Sequence, residues 1–204
     1  LEAADRGQSP TAWQRSTYPL RYQGMIAVAH EGIDTARIRP DLQARFLLPD
    51  GRALTRADEV ITYAARNLEP YRGFHVFMRA LPEILRSTPT AQVLIAGGDQ
   101  VSYGRKLPHG HTYRQKLLAE LDGKLDTAKV HFLGRVPHTD FIRMLQVSTA
   151  HVYLSYPFVL SWSMLEAMAA GCLVIGSATP PVQEVIRDGE NGLLVGFFDQ
   201  QALA

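Results

Sequence analysis

The stretch that decides the fold is AHVYLSYPFVLSWSMLEAMAAGCLVIGS, residues 150–177. Two apolar runs of strand length, Ala150 to Tyr156 and Leu173 to Ser177, flank a segment of helical composition, Ser163 to Ala170. Both runs are continuously apolar, which is typical of strands that are covered on both faces. Gly171 follows the helical segment, where a glycine commonly ends a helix. The stretch therefore predicts a strand–helix–strand unit with parallel strands.

The same alternation of strands and helices extends over residues 59–204. Further strands are predicted at Val60 to Ala65, Gln92 to Gly97, Val130 to Gly134 and Gly192 to Gly196. Further helices are predicted at Phe74 to Arg86, Tyr113 to Leu125, Thr139 to Leu145 and Val182 to Arg187. This pattern predicts an α/β fold: a doubly wound, mostly parallel, Rossmann-like sheet with helices on both faces.

Residues 1–58 show a looser pattern. A helix is predicted from Pro10 to about Thr17 and a strand from Met25 to Ala29. We interpret residues 31–58 as a linker and surface excursion with a turn at residues 49–51, Pro-Asp-Gly. Because the chain starts without Met and ends in DQQALA, we expect the first 58 residues to finish a preceding domain. We also expect the last helices to be cut short.

The composition excludes several classes of protein. Among 204 residues, 21 Lys and Arg balance 20 Asp and Glu, which argues against a basic nucleic-acid arm or an acidic tail. A single cysteine excludes an internal disulfide. No apolar run reaches the roughly 18–20 residues of a membrane span, and the start has no leader-like basic and apolar segments. We therefore expect a cytoplasmic protein that binds no nucleic acid.

Two arginines stand in the loop after the first long strand, RNLEPYRGF (residues 66–74). Ligands of open parallel sheets bind beyond the carboxyl ends of the strands. Two guanidiniums in one such loop, Arg66 and Arg72, can converge on a polyanion, because each offers a planar fork of donors. The alternative is that both are solvated surface residues near Glu69.

The segment SMLEAMAAG (residues 163–171) leaves two roles open for Glu166. Ser163 and Glu166 have the spacing of a capping box, in which the carboxylate reaches back to the helix amino end. In the other reading, Glu166 accepts from ligand hydroxyls such as a ribose diol. The amino end of this helix is also a phosphate site by its free N–H groups and dipole.

A long loop follows the strand Gln92 to Gly97. Its residues 100–119 carry four basic side chains and no acidic one, so the loop can lend positive potential to a nearby anion. A mobile, solvated excursion is the alternative that we favour. His109 and His111 lack the cysteines or carboxylates that would complete a metal site, and none is predicted. Cys172 is expected to be a structural core residue.

Six segments in this order resemble a known family: HEGIDTARIRP (30–40), RNLEPYRGF (66–74), VLIAGG (93–98), VHFLGRV (130–136), LEAMAAGCLVIGS (165–177) and PPVQEVIRDGENGLLV (180–195). Together they resemble the C-terminal, nucleotide-sugar-binding half of a retaining GT-B glycosyltransferase of the family four or group 1 type. The resemblance covers about residues 25–204.

The resemblance implies roles for individual residues. Arg66 and Arg72 would hold the donor diphosphate and stabilise the leaving group as catalytic residues, with Arg72 in place of the family's lysine. Glu166 matches the second carboxylate of the family's E-x7-E motif and would bind the ribose hydroxyls. Phe158 stands where the family has the first carboxylate, which contacts the transferred sugar. The other implied donor-binding residues are Gly97, Gly134, Arg135, Val136, Ser161, Trp162 and Ser163.

The implied reaction is transfer of a sugar from a nucleoside-diphosphate sugar with retention, without a metal or other cofactor. The acceptor would bind to a preceding N-terminal domain, and any membrane association would involve that domain alone. We expect this chain of 204 residues by itself to be inactive. Three alternatives stay open: a non-catalytic nucleotide-sugar-binding module, another GT-B enzyme such as a sugar-nucleotide epimerase or a phosphorylase, and an unrelated Rossmann-like domain.

Overall fold

The computed structural model describes residues 3–204. Its first part holds short elements: β1 (Gly7–Ser9), α1 (Ala12–Ser16), α2 (Leu20–Gln23), β2 (Ile26–Val28), β3 (Phe46–Leu47) and β4 (Ala53–Leu54). Strands β1 and β2 form a parallel pair, and β3 and β4 form an antiparallel hairpin. The predicted first helix and strand are confirmed with shorter bounds, and the predicted turn at residues 49–51 joins the hairpin.

The sequence predicts neither β1 nor α2. Pro19 reads as an interruption, but it occupies the position just before the first residue of α2. Proline is tolerated there, since the first amides of a helix have no partner within it. At α1, the carboxylate of Glu184 accepts from the N–H groups of Ala12 and Trp13 at 2.8 and 2.7 Å. This contact joins the first residues to the far end of the chain.

The rest of the chain builds one sheet. Its strands are β5 (Val60–Asn67), β6 (Gln92–Gly98), β7 (Val130–Gly134), β8 (Ala150–Tyr153), β9 (Leu173–Ser177) and β10 (Leu193–Val195). They lie in the order β10-β9-β8-β5-β6-β7, and all pairs are parallel. The direction of winding reverses between β5 and β8, so a crevice opens at their carboxyl ends.

Helices cover both faces of this sheet. They are α3 (Phe74–Ser87), α4 (Tyr113–Glu120), α5 (His138–Val147), α6 (Trp162–Ala169), α7 (Pro180–Gln183) and α8 (Gln200–Leu203). One buried cluster includes side chains of α3, α4 and α8, and a second includes side chains of α5, α6 and α7. In the first cluster the ring of Phe77 stacks on Tyr63 of β5 at 5.0 Å. The predicted doubly wound α/β fold is confirmed.

Three predicted elements end at least three residues from the expected position. Strand β8 ends at Tyr153 instead of Tyr156, because the next residues leave the ladder and the N–H of Ser155 donates to the Ser177 hydroxyl at 3.1 Å. Helix α4 ends at Glu120 and is followed by turns. Helix α7 begins earlier than predicted, since the Pro180–Pro181 pair occupies its first turn, where proline fits, and it ends at Gln183 instead of Arg187.

The prediction of a surface excursion for residues 31–58 is wrong in part. Ile38, Phe46, Leu48 and Leu54 are buried and join the core cluster beneath α5 and α6. Phe46 and Leu48 are two residues apart, so a strand places both on one face. The many polar, proline and glycine residues around them hide this short apolar pattern. The domain boundary at residue 58 stays a prediction.

Two further findings bear on function classes. Cys172 packs beside α5, where its thiol donates to the Leu145 carbonyl at 3.0 Å and burial raises its pKa to about 12. The thiol is therefore protonated at neutral pH, in accord with a structural role. Among residues 3–204, no helix combines the length and the hydropathy needed to cross a membrane.

Candidate functional site

A cleft of about 730 Å³ opens at the carboxyl ends of β5, β6, β7 and β8. We call it the main cleft. Its position is the switch point of the sheet, and its size is typical of small-molecule sites. Eight of the ten residues predicted for the site line it: Arg66, Arg72, Gly97, Gly134, Arg135, Val136, Ser161 and Ser163. The chain thus brings together post-strand residues that are up to 97 positions apart, from 66 to 163.

The main cleft is positively charged. Arg66, Arg72 and Arg135 line it, and its lining includes no carboxylate. Arg72 donates to the Ser155 hydroxyl at 3.0 Å, and Arg135 donates to the Asn67 side-chain oxygen at 3.4 Å. Within the described part of the chain, none of the three forms an ion pair with an acidic side chain. Three guanidiniums without acidic partners attract an anionic ligand.

The backbone conformation around Gly73 determines where the Arg72 side chain begins. Residues Pro70–Arg72 form a single helical turn, and Gly73 follows with φ of 69°, in the left-handed region. A side chain at Gly73 would collide with Leu154, so only glycine fits. The carbonyl of Arg72 accepts from the Tyr63 hydroxyl at 2.6 Å. These contacts fix the start of the Arg72 side chain at the edge of the main cleft.

Glycine is required at Gly97 for a second close approach. A Cβ atom there would lie 2.6 Å from the Ala65 carbonyl oxygen and 2.8 Å from the Leu68 side chain. The ends of β5 and β6 therefore come close together beneath the main cleft. Any larger residue at Gly97 would push the two strand ends apart.

The amino end of α6 faces the main cleft without a side-chain cap. Ser161 precedes the helix, and no side chain bonds to the first amides. The Ser161 N–H donates to the Tyr153 hydroxyl at 3.0 Å. Burial raises the pKa of Tyr153, so its phenol stays neutral. The capping box considered for Ser163 and Glu166 is wrong. The Met164 N–H donates to the Ser161 carbonyl at 3.3 Å, and the N–H groups of Trp162 and Ser163 are left for a ligand.

Glu166 pairs with a histidine that the sequence analysis did not single out. The Glu166 carboxylate is buried, and its Oε1 lies 2.7 Å from Nε2 of His138. His138 is the first residue of α5 and lines the main cleft. Glu166 is not among the residues that line the cleft, and its contact with His138 connects it to the cleft. The only signal for His138 in the sequence is its place in the loop after β7.

Trp162 does not join the other predicted site residues. Its side chain is 56% exposed and lies outside the lining of the main cleft. The indole N–H donates to the Glu31 carboxylate at 3.4 Å. As a first-turn residue of α6, Trp162 can offer its backbone N–H to a ligand, but its ring does not face the site.

The loop after β6 is anchored at its start. The Glu69 carboxylate is buried and accepts from the N–H groups of Ser102, Tyr103 and Gly104 at 3.1, 3.0 and 2.9 Å. The Asn67 amide donates to the Ser102 hydroxyl at 2.6 Å. The favoured interpretation of a mobile excursion is therefore wrong for this part of the loop. Glu69 positions Tyr103 instead of neutralising Arg66 or Arg72.

A second space of about 370 Å³, the side cavity, adjoins the main cleft. Arg72 and Tyr103 line both spaces. The other residues around the side cavity are Tyr71, Ser102, Ser155 and Phe158. The guanidinium carbon of Arg72 lies 5.7 Å from the ring centres of both Tyr103 and Phe158, and the two rings are 5.0 Å apart. Cation–π contacts thus help to hold Arg72 in place.

Comparison with known proteins identifies the family. A family model described as "Glycosyl transferases group 1" matches residues 51–204. The chain belongs to the group 1 glycosyltransferases. A second model, described as "Glycosyl transferase family 4 group", matches residues 1–38. The resemblance to the C-terminal half of a group 1 GT-B enzyme is therefore confirmed.

Curated relatives of this group 1 glycosyltransferase chain include a D-inositol 3-phosphate glycosyltransferase of Nocardioides, which is 31% identical over 185 residues. That alignment covers 85% of this chain and 38% of the relative. A phosphatidyl-myo-inositol mannosyltransferase of Mycobacterium tuberculosis is 32% identical over 147 residues, with coverage of 69% and 33%. The chain thus spans less than half the length of these curated relatives.

Solved structures share its fold. Sucrose-phosphate synthase from Thermosynechococcus elongatus has a TM-score of 0.77 and 25% identity, covering 100% of this chain and 48% of that protein. HepE of Anabaena, solved in complex with UDP and glucose, has a TM-score of 0.75 and 17% identity, with coverage of 98% and 52%.

Proposed function

We propose that this chain is the donor-binding half of a glycosyltransferase that uses a nucleoside-diphosphate sugar. The observation that carries the proposal is the main cleft, where Arg66, Arg72 and Arg135 lack acidic partners beside the uncapped amino end of α6. A diphosphate is the ligand chemistry that this arrangement suits best, since guanidinium forks and free helix amides both bind phosphate oxygens. The HepE structure with UDP and glucose supports this assignment.

In this proposal Arg66 and Arg72 act on the leaving group. Negative charge builds up on the diphosphate as the bond to the sugar breaks. Cationic donors fixed in advance stabilise that charge without reorganising during the reaction. The contacts of Arg72 with Ser155 and with the aromatic rings provide such fixation. The arginines would supply the positive charge that a metal ion supplies elsewhere, and we propose that the reaction is independent of metal and retains the sugar configuration.

The nucleoside would occupy the opposite part of the main cleft. In this proposal Glu166, which pairs with His138 through Oε1, accepts from a ribose diol, since a carboxylate has further lone pairs for hydroxyl donors. Main-chain atoms of Arg135 and Val136 would contact the base. The small side chains of Ala64 and Ala96 leave room between these groups and the arginines.

Thermal unfolding of the 204-residue chain with UDP, GDP or ADP tests donor binding. A ligand at about 100 times its Kd stabilises a protein by about 2.7 kcal/mol, which raises the Tm of a chain of this size by about 5 °C or more. We expect such a shift for at least one nucleotide, undiminished by EDTA. Arg66→Ala should reduce the shift, and Arg86→Ala, which lies on an exposed turn of α3, should leave it unchanged. No shift at millimolar concentrations of any of the three would overturn the proposal.

Turnover separates the transferase from the other candidates. Proton NMR of the anomeric signal would follow the sugar of the donor in mixtures with inositol or inositol 3-phosphate, compounds that the relatives' names suggest. We expect retention in a protein that includes an acceptor-binding domain, and donor binding without transfer by the 204-residue chain. Phe158 favours one alternative, a non-catalytic binding module, and donor binding without transfer by the longer protein would establish it. An isomerised donor without acceptor would indicate an epimerase.

A further inference from the structure

The side cavity leads directly away from the phosphate-binding arginines. Arg72 and Tyr103 form the boundary between it and the main cleft. A group attached to a phosphate on Arg72 can therefore extend into the side cavity. This argument rests on the proposed function, because a diphosphate at Arg66 and Arg72 is what brings the attached sugar there.

Aromatic rings form the walls of the side cavity. Tyr71, Tyr103 and Phe158 are 47%, 44% and 41% exposed, although burial of such large rings is strongly favourable. Exposed apolar side chains that cluster instead of lying singly indicate an interaction site. Flat apolar walls fit the C–H faces of a sugar ring.

Few polar groups of the side cavity are left for a ligand. The Ser102 hydroxyl accepts from Asn67, and the Ser155 hydroxyl accepts from Arg72 and donates to the Tyr156 carbonyl at 3.0 Å. The lining contains no carboxylate, carboxamide or lysine. Apart from Arg72, the side-chain groups that remain for hydrogen bonding are the two phenols and the O–H of Ser102. A richly hydroxylated sugar would lose water there without gaining equivalent partners.

We propose that the side cavity binds the sugar of the donor by its ring faces and not by its hydroxyl groups, and so favours deoxy sugars. A site built to hydrogen bond a hydroxyl rejects the analogue that lacks it by about 10⁴-fold or more. An apolar site does not impose this penalty. The substrate class is therefore a nucleoside-diphosphate sugar that lacks a hydroxyl at a position facing Tyr103 and Phe158.

Calorimetric titration of the 204-residue chain tests this specificity. The nucleotide that binds among UDP, GDP and ADP fixes the series: UDP-glucose, GDP-mannose or ADP-glucose, each with its 4-deoxy and 6-deoxy analogues. At least one deoxy analogue should bind as tightly as its parent or up to about tenfold more tightly. Weaker binding of both analogues than of the parent would overturn the inference. Failure of all three nucleotides to bind would instead overturn the proposed function.

Substitution of Phe158 tests whether the side cavity is responsible for the preference for deoxy sugars. Phe158→Gln adds hydrogen-bonding groups without a charge that would pair with Arg72. We expect this variant to favour the hydroxylated parent over its deoxy analogues. Affinity for the nucleoside diphosphate alone is measured as the reference, because loss of the Phe158–Arg72 contact weakens the binding of all these ligands alike. Phe198→Gln is the matched control, because Phe198 is exposed and lies outside the side cavity. An unchanged preference in Phe158→Gln, or an equal change in Phe198→Gln, would overturn the inference. The Tm of each variant without ligand verifies its folding.

Discussion

The two ends of the binding region differ in how they can recognise a ligand. At one end, His138 and the buried Glu166 form a 2.7 Å polar pair that can distinguish hydroxyl groups. At the other end, Tyr103 and Phe158 present rings with few free polar groups. Arg72 lies between the two ends, because it lines both the main cleft and the side cavity.

This difference separates two tasks within one site. Hydrogen-bonding groups distinguish ligands that have a hydroxyl from ligands that lack it, whereas apolar walls distinguish shape. We infer that the nucleoside is recognised strictly and the transferred sugar more permissively. Substitutions at either end, or of the arginine between them, test whether the two ends act separately.

The largest effect is expected for Arg72→Ala, which removes the group common to both ends. Loss of charge-assisted hydrogen bonds worth about 1.5–3 kcal/mol should weaken nucleoside-diphosphate binding by about 100-fold, and the sugar should add no further affinity. Replacement of the exposed Arg66 by alanine should weaken nucleoside-diphosphate binding by about tenfold. Calorimetry on both variants measures the order, with Arg86→Ala as a control. A larger effect for Arg66 than for Arg72 would contradict the central place of Arg72.

An intermediate effect is expected for His138→Ala, which alters only the end of the site formed by His138 and Glu166. The wild-type chain should bind a nucleoside diphosphate about tenfold more tightly than its 2′-deoxy analogue, and the variant should lose most of this preference. His138→Gln, which keeps an N–H donor, should retain part of it. Titration of UDP against 2′-deoxy-UDP, or of the corresponding guanosine pair, measures the ratio.

The control for this experiment is His109→Ala, since His109 is exposed and outside the main cleft. A ratio that stays at the wild-type value in His138→Ala would show that the pair does not orient Glu166 for the ribose. The preference between deoxy and hydroxylated sugars should not change in this variant.

The smallest effect is expected for Glu69→Gln, which loosens the loop that carries Tyr103. The neutral amide oxygen of glutamine is a weaker hydrogen-bond acceptor for the three backbone N–H groups than the carboxylate is. Binding of the nucleotide sugar should weaken by about threefold. Binding of the nucleoside diphosphate alone should weaken less, because Tyr103 contacts it through Arg72. Trypsin should also cleave faster at Arg105 and Lys106. Glu120→Gln on α4 is the control, and equal proteolysis of both variants would exclude the anchoring role.

The fold was largely predictable because its strands are short, continuously apolar and separated by helical segments. The bounds of β7 and β9 match the prediction. The end of β8 was missed, because it depends on a hydrogen bond between Ser155 and Ser177, which are 22 residues apart. The packing of Phe46 and Leu48 was missed because the short apolar run Phe46 to Leu48, in a stretch rich in polar residues, proline and glycine, gives little signal.

The site was predictable where it follows from the ends of strands, and unpredictable where it depends on contacts between loops. Arg66 lies near the end of β5, Arg72 ends the short helical turn that follows, and both line the main cleft. Pairing of His138 with Glu166 joins residues 28 apart, and the contact of Glu69 with Tyr103 joins residues 34 apart. Neither spacing matches a local motif, so tertiary structure alone reveals these contacts.

The conformation of Gly73 has a consequence for the tolerance of the chain to mutation. Gly73 has no side chain with which to contact a ligand, whereas its neighbours Arg72 and Phe74 carry large side chains. Yet a library of all single substitutions, selected for donor binding, should be depleted of every variant at Gly73 about as strongly as at Arg72. A residue without a side chain would thus count among the most sensitive positions of the binding site.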